Sequence, residues 1–294
     1  MRYLLSTYLF LLASGLFAQT LVIAHRGASA WSPENSLEAF QKAIDMHADI
    51  IETDVHQTAD SVLVLMHDLS VNRTCDIPDS IAARHPGKKL LIRNLTYAEF
   101  AALRIHQRQV APPSLDAAIK LIKGHCKLLI EIKRGSDYYP GIEARILRVI
   151  HENQAEDWVS VIHSFDKKAL LELNRQHTGI TLQKLIVFKL PLSSLTYAKR
   201  FSKDDFECWK GVNVYYRFIS RRLVRKLHKS GKTVYAWTVN KPRAARRLVK
   251  RGVDGIISNK PDMIKKFLQE NRKSVYLQPQ IGYVAQLDRA SHYG

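Results

Sequence analysis

Short apolar runs alternate along most of the chain with segments of helical periodicity. Near-continuous apolar runs of this length are typical of strands that are buried on both faces of a parallel sheet. Eight runs are predicted as the main strands: 21–24, 50–55, 127–133, 158–165, 182–188, 211–216, 233–239 and 254–258. The run 62–68 is predicted as an extension of the second strand or as a further short strand.

The segments between these strands repeat apolar residues at the 3.6-residue spacing of amphipathic helices. The first helix is predicted to follow an N-cap at Asn35, and a later one is predicted to follow an N-cap at Ser114. Further helices are predicted at 142–150, near 170–173, and at 220–229, 242–250 and 261–270. The last two begin with proline, which favours the first turn of a helix.

Eight strands that alternate with helices predict a parallel α/β sheet covered by helices, and eight such units close as a (β/α)8 barrel. An open, doubly wound sheet is the alternative, but no topological break favours it. The interval 68–113 interrupts the alternation and has only a short helical stretch near 97–103. Because long irregular segments in compact domains are usually functional, we expect this insertion to lie over the active face.

Both ends of the chain fall outside this pattern. After Arg2 the apolar run 4–18 is shorter than the ~20 residues that a membrane helix needs, so residues 1–18 are predicted as a secretory signal peptide. Leu16 does not match the small residues preferred before a cleavage site, which leaves an uncleaved anchor as the alternative. The predicted domain is 19–272, and 273–294 is predicted as a flexible tail. We therefore expect an exported protein, periplasmic or secreted.

The net charge of +18 is concentrated in one segment of the 294-residue chain. Residues 209–253 contain 14 Lys and Arg and no Asp or Glu, whereas the other 31 basic residues are nearly balanced by 27 acidic ones. This predicts a local basic patch, which is either a solvated surface or a contact for an anionic membrane or envelope. No nucleic-acid partner is expected, because the chain has no recognisable nucleic-acid module.

Carboxylates lie on two of the predicted strands. Glu52 and Asp54 are two residues apart, so both side chains point to the same face of the strand. Glu131 and Lys133 repeat this arrangement at the end of another strand. Three carboxylates that converge at strand ends make an oxygen-rich site suited to Ca²⁺ or Mg²⁺. Surface charges near strand ends are the alternative.

Two histidines end predicted strands near these carboxylates. His25 ends the first strand, and His67 ends the short strand before the insertion. Imidazoles beside a bound cation are suited to proton transfer near neutral pH. The other ten histidines, including His163, are predicted to be structural.

Further residues near the strand ends can bind an anionic substrate. Arg26 and Lys133 add positive charge that, together with a cation, suits a phosphate group. Gly27 is predicted to let the backbone pass close to the substrate. Trp237, at the end of a late strand, is predicted to pack over the substrate, with a core position as the alternative.

Five motifs occur in order along the chain: HRG at 25–27, PENS at 33–36, Glu-x-Asp at 52–54, MHD at 66–68 and EIK at 131–133. Together they resemble the glycerophosphodiester phosphodiesterase family, over about 21–269. The resemblance implies a TIM-barrel fold with a small insertion after the second strand. It also implies metal-dependent hydrolysis of a glycerophosphodiester to sn-glycerol 3-phosphate and an alcohol.

The resemblance also implies a role for each residue of the candidate site. The implied set consists of the catalytic histidines His25 and His67, the phosphate-binding Arg26 and Lys133, the metal ligands Glu52, Asp54 and Glu131, and the supporting Glu34 and Asn35. Two alternatives remain: a phospholipase acting on lysophospholipid or phosphoinositide headgroups, and an anionic-surface binding protein that uses the basic patch. The complete catalytic set argues against a purely binding role.

Overall fold

The computed structural model describes residues 20–87, 89–106, 108–187 and 208–270. Eight parallel strands in these residues form one closed sheet: β1 Leu21–His25, β2 Ile50–Gln57, β6 Lys127–Ile132, β7 Val159–Ser164, β8 Thr181–Ile186, β9 Gly211–Tyr215, β10 Thr233–Trp237 and β11 Gly255–Ser258. The sheet closes because β1 pairs in parallel with both β2 and β11. This confirms the predicted TIM (β/α)8 barrel.

Helices follow the barrel strands as the periodicity predicts. They are α1 Leu37–Asp45, α4 Leu115–Ile122, α5 Ile142–Glu152, α6 Lys167–Arg175, α7 Arg221–Lys229, α8 Pro242–Arg251 and a last helix that includes 261–270. The hydroxyl of Ser114 accepts from the Ala117 amide at 3.2 Å, which confirms the predicted N-cap of α4. None of the helices in the described residues is long and apolar enough to cross a membrane.

The N-cap predicted at Asn35 is wrong by one residue. The hydroxyl of Ser36 accepts from the Ala39 amide at 3.1 Å and caps α1. Asn35 instead has a positive φ of 56°, and its carboxamide donates to Asp54 at 2.8 Å. The side chain that could have capped the helix is therefore turned towards the barrel.

The barrel interior changes from apolar to polar along the strands. Ile23, Ile50, Leu129, Val161, Tyr235 and Ile257 pack together as one apolar cluster. On five of these strands, the residue two positions further along points to the same face of the sheet. These residues are His25, Glu52, Glu131, His163 and Trp237. The alternation of the strands therefore collects titratable side chains in a layer at the carboxyl ends, where barrel enzymes have their active sites.

The insertion after β2 has a core of its own. β3 (Leu63–Leu65) pairs antiparallel with β2, and β4 (Cys75–Asp76) pairs with β5 (Arg104–Ile105). The segment also contains the short helices α2 (Asp79–Arg84) and α3 (Tyr97–Ala102). Its buried apolar residues, from Val64 to Ile105, form a separate cluster. The insertion follows the second strand as predicted, but it has more regular structure than its sequence indicates. The predicted signal peptide and tail lie outside the described residues.

Candidate active site

Two buried carboxylates and one imidazole meet in the polar layer. Glu52, Glu131 and His163 each offer one donor atom within 4.8 Å of the others, and they are only 1%, 6% and 2% exposed. Burial, reinforced by the charge of Asp54, raises the pKa of Glu52 and Glu131 to about 7. Burial lowers the pKa of His163 to about 4, so this ring is neutral at physiological pH. The three side chains form a possible site for a divalent cation.

Asp54 is held by cationic side chains of the protein. Its carboxylate lies 3.1 Å from Arg26 Nε and 3.3 Å from Lys133 Nζ, and it accepts from the Asn35 carboxamide. Burial alone would raise the pKa of Asp54, but Lys133 and Arg26 hold it far below its usual range. Lys133 Nζ also lies 2.8 Å from Glu131 Oε1, and Asp54 Oδ1 has no hydrogen-bond partner among the described residues, so these ion pairs do not exclude Asp54 as a ligand. The set of three carboxylate ligands stays a prediction.

Both predicted catalytic histidines have one ring nitrogen fixed by an acceptor. Nδ1 of His25 contacts Asn259 Oδ1 at 2.6 Å, and Nδ1 of His67 contacts Asp68 Oδ1 at 2.6 Å. With Nδ1 protonated and donating, Nε2 of each ring is left for proton exchange. Burial lowers the pKa of both histidines. Of these two acceptors, Asp68 belongs to the MHD motif, whereas the sequence prediction missed Asn259.

The turn after β1 brings the main chain of Arg26 into the site. Arg26 has a φ of 57°, and its amide donates to Glu52 at 2.8 Å. Gly27 follows with a φ of 80°, and a Cβ there would lie 2.6 Å from the Ala39 backbone. The close approach to helix α1 therefore requires glycine here, and the predicted approach to the substrate stays a prediction.

Arg73, from the insertion, connects the two sides of the site. Its Nε donates to Asp68 at 2.5 Å, and its Nη2 donates to Glu34 at 2.5 Å. Glu34 in turn accepts from Arg26 Nη1 at 3.0 Å. These contacts form a chain of alternating charges that runs from Arg26 through Glu34, Arg73 and Asp68 to His67. The sequence prediction missed Arg73, because nothing in its local sequence marks a partner 39 residues away.

Most of the predicted residues line one small cavity at the barrel mouth, of about 80 Å³, whereas Glu34 and Asn35 line a neighbouring cleft and Asp54 is not part of the lining. Its lining includes His25, Arg26, Glu52, His67, Glu131, Lys133, His163 and Trp237. The indole N–H of Trp237 donates to the Asn213 carbonyl at 3.0 Å, and its ring packs against Phe165 and Tyr215. His67 also lines two larger clefts of about 430 and 820 Å³. The mouth can therefore place a phosphate among these groups while the rest of a substrate extends outward.

Known proteins are similar to this chain over most of its length. Residues 25–263 match the Glycerophosphoryl diester phosphodiesterase family. The chain is 34% identical over 254 residues to a glycerophosphodiester phosphodiesterase of Caldanaerobacter subterraneus subsp. tengcongensis, covering 84% of this chain and 96% of that protein. It is 28% identical to a glycerophosphodiester phosphodiesterase of Bacillus altitudinis, covering 85% and 99%. A phosphodiesterase of Oleispira antarctica, solved with the product sn-glycerol-3-phosphate, has the same fold with a TM-score of 0.73 and 24% identity, covering 85% and 97%.

Proposed function

This chain belongs to the glycerophosphoryl diester phosphodiesterase family and hydrolyses glycerophosphodiesters to sn-glycerol 3-phosphate and an alcohol, and we propose that the reaction takes place in the polar layer at the barrel mouth. The observation that carries this proposal is the arrangement around the small cavity. His25 and His67, each with Nδ1 held by an acceptor, line it together with Arg26, Lys133 and the Glu52–Glu131 pair.

The residues present fit a divalent cation. Glu52 and Glu131 are buried carboxylates with raised pKa values, and His163 Nε2 beside them has no hydrogen-bond partner among the described residues. We propose Ca²⁺ or Mg²⁺, held by Glu52 and Glu131 with Asp54 as the further predicted ligand. When bound, the cation neutralises phosphate charge and lowers the pKa of a coordinated hydroxyl or water.

The side chains of this protein supply binding and proton transfer. Arg26 and Lys133 hold the phosphate oxygens, and Trp237 packs against the substrate at the rim of the cavity. One of His25 and His67 takes the proton from the nucleophile, and the other protonates the leaving alkoxide. Glu34 fixes the side chain of Arg26, and Asn35 fixes Asp54.

The experiment that tests this function is product analysis with glycerophosphocholine, glycerophosphoethanolamine and a lysophospholipid, each with and without chelator. We expect sn-glycerol 3-phosphate from the first two, loss of the reaction after chelation, and recovery when Ca²⁺ or Mg²⁺ is added. Full activity in thoroughly chelated protein would contradict the metal requirement. A clear preference for the lysophospholipid would support the phospholipase alternative.

We further propose that the protein is exported and contacts an anionic membrane or envelope surface. Export is supported by the apolar run at 4–18. The contact is supported by cations on α7 and α8, here called the basic face, of which the first five are exposed and the last is half-buried: Arg221, Arg225, Lys229, Arg243, Arg247 and Arg251. The two helices are neighbours, because Arg221 donates to the Lys250 carbonyl at 3.1 Å. Such a contact would hold the enzyme near diesters that are released from lipids.

A further inference from the structure

His163 is placed in the cation site by its strand and not by a motif. It lies on β7 two residues beyond Val161 of the apolar cluster, so its side chain points into the barrel at the level of Glu131. Its register partner on β6 is Glu131, and its Nε2 lies 3.7 Å from Glu52 Oε1. The imidazole therefore faces both carboxylates from a third strand.

Among the described residues, only one of the two ring nitrogens of His163 has a hydrogen-bond partner. The side chain is 2% exposed, yet Nε2 has no hydrogen-bond partner among the described residues. A buried polar atom left without a partner costs free energy unless something else satisfies it. Asp54, which was predicted to complete the carboxylate set, is paired with Arg26 and Lys133, although its Oδ1 also has no hydrogen-bond partner among the described residues. The atoms that need a partner at this point therefore include a nitrogen as well as oxygens of Asp54 and Glu131.

The other nitrogen of the ring is held by Asn213. Its carboxamide contacts His163 Nδ1, and both side chains are buried. Asn213 Oδ1 has no partner among the described residues when Nδ2 faces the ring. Turning the carboxamide by 180° brings Oδ1 to Nδ1, so that Nδ1 carries the proton and the lone pair of Nε2 faces the carboxylates. Histidines that ligate metals usually have such a partner on the second nitrogen.

We propose that Nε2 of His163 is a ligand of the divalent cation, together with Glu52 and Glu131, and that Asn213 orients the ring. The inference rests on the proposed cation site and adds to it. Ca²⁺ and Mg²⁺ favour oxygen donors, whereas imidazole nitrogen favours the later first-row metals. The site therefore also accepts Mn²⁺, Co²⁺ or Zn²⁺, and His163 makes a larger difference to these ions than to Mg²⁺.

The direct test is pulsed EPR of the full chain, freed of metal by chelation and then loaded with Mn²⁺. A ligated imidazole gives a nitrogen coupling to the Mn²⁺ signal, and we expect that coupling in the wild type and its loss in His163→Gln. We also expect His163→Gln to weaken Co²⁺ binding by about tenfold or more in calorimetry, and Mg²⁺ binding by less than about threefold. His228→Gln, a matched change on α7 outside the barrel, is expected to leave both affinities unchanged.

The outcomes separate this inference from the proposed function. Mn²⁺ bound without nitrogen coupling, or coupling that persists in His163→Gln, overturns the role of His163 and leaves a metal-dependent enzyme standing. No binding of any divalent ion, together with activity that survives chelation, overturns both proposals. Absence of nitrogen coupling in the wild type overturns the role of His163 whether or not the variant folds. Coupling in the wild type is assigned to His163 by its loss in a His163→Gln variant whose circular dichroism matches the wild type. If Asp54→Asn abolishes Mn²⁺ binding and His163→Gln does not, the ligands are the three carboxylates that the sequence predicts.

Discussion

Charge is organised in opposite ways at the barrel mouth and on the basic face. At the mouth, the main charged groups are paired: Asp54 with Arg26 and Lys133, and Glu34 with Arg26 and Arg73. On the basic face, the helices α7 and α8 contain no acidic residue. Burial lowers the pKa of Arg251, and the positive charges of Arg247 and Arg221 lower it further. The first region is a network of opposite charges, and the second is a surface of like charges.

The difference determines what a single substitution does. Removing one member of a buried pair leaves its partner as an unpaired buried charge, which is strongly destabilising. Removing one exposed cation changes stability little, because water and salt already screen it. We therefore expect single changes to have large effects at the mouth and only collective changes to have effects on the basic face.

The largest expected effect is on the two histidines that we propose to transfer protons. If they do, His25→Ala and His67→Ala should each lower kcat by ~10²-fold or more, because each variant loses one half of the proposed proton exchange. The double variant should be impaired far less than additively, since the two residues serve the same reaction. Steady-state kinetics with glycerophosphocholine measures this, with circular dichroism to check folding. His228→Ala is the control, and near-wild-type turnover in either single variant would remove that histidine from the mechanism.

Asp54 is the sharpest test of pairing in the buried network. Asp54→Asn keeps the shape but removes the charge that Arg26 and Lys133 share, and its carboxylate is 0% exposed. We expect the free energy of unfolding to fall by about 3 kcal/mol. Arg225→Gln, on the basic face, should change it by less than about 0.5 kcal/mol. Denaturant unfolding of both variants measures the contrast, and equal stabilities would show that the buried charges are not coupled as described.

Arg73 should have an intermediate effect, because it acts on His67 through Asp68. Arg73→Met removes both of its carboxylate contacts, and we expect kcat to fall by roughly tenfold. Without this cation the charge of Asp68 acts more fully on His67, so the limb of the pH–rate profile due to His67 should move to higher pH. Arg73→Lys should recover part of the rate. A loss of stability with an unchanged pH profile would mean that Arg73 only anchors the insertion.

The sequence predicted the barrel and most of the candidate site for the same reason. Strand periodicity is local, and the motif residues His25, Glu52 and Glu131 lie on parallel strands, where the alternation of side chains turns all three into the barrel. Contacts between distant segments were not predictable in this way. His163 in an apolar strand has the sequence appearance of a core histidine, and Arg73 meets Glu34 only because the insertion folds on its own core.

Two smaller errors in the sequence prediction also have physical causes. Asn35 and Ser36 are both good N-cap residues. Ser36 caps the helix, because the Asn35 carboxamide donates a hydrogen bond to Asp54 instead. Apart from the short helical stretch near 97–103, the apolar residues of the insertion follow no helical or strand period, so its core was not visible in the pattern. In both cases a tertiary contact decided between local structures that the sequence allows equally.

The smallest effect on catalysis is expected from the basic face, where a collective change should alter only surface binding. Each well-placed cation contributes roughly 1 kcal/mol to binding an anionic membrane at low salt, and salt weakens this attraction. Wild-type protein should sediment with anionic vesicles and not with neutral ones, and less at moderate salt than at low salt. Changing all six basic-face residues to Gln should abolish this sedimentation, while hydrolysis of glycerophosphocholine stays within about twofold of wild type.

The control for the basic face must lose the same net charge elsewhere. Six exposed cations on the insertion and on α4 to α6 serve this purpose when changed to Gln: Arg84, Arg93, Lys120, Arg148, Lys168 and Arg175. If binding depends on where the charges lie, this control should keep most of the sedimentation that the basic-face variant loses. Equal losses in the two variants would mean that net charge alone attracts the protein. Equal sedimentation with both vesicle types, or no loss in the basic-face variant, would leave that surface as an ordinary solvated one.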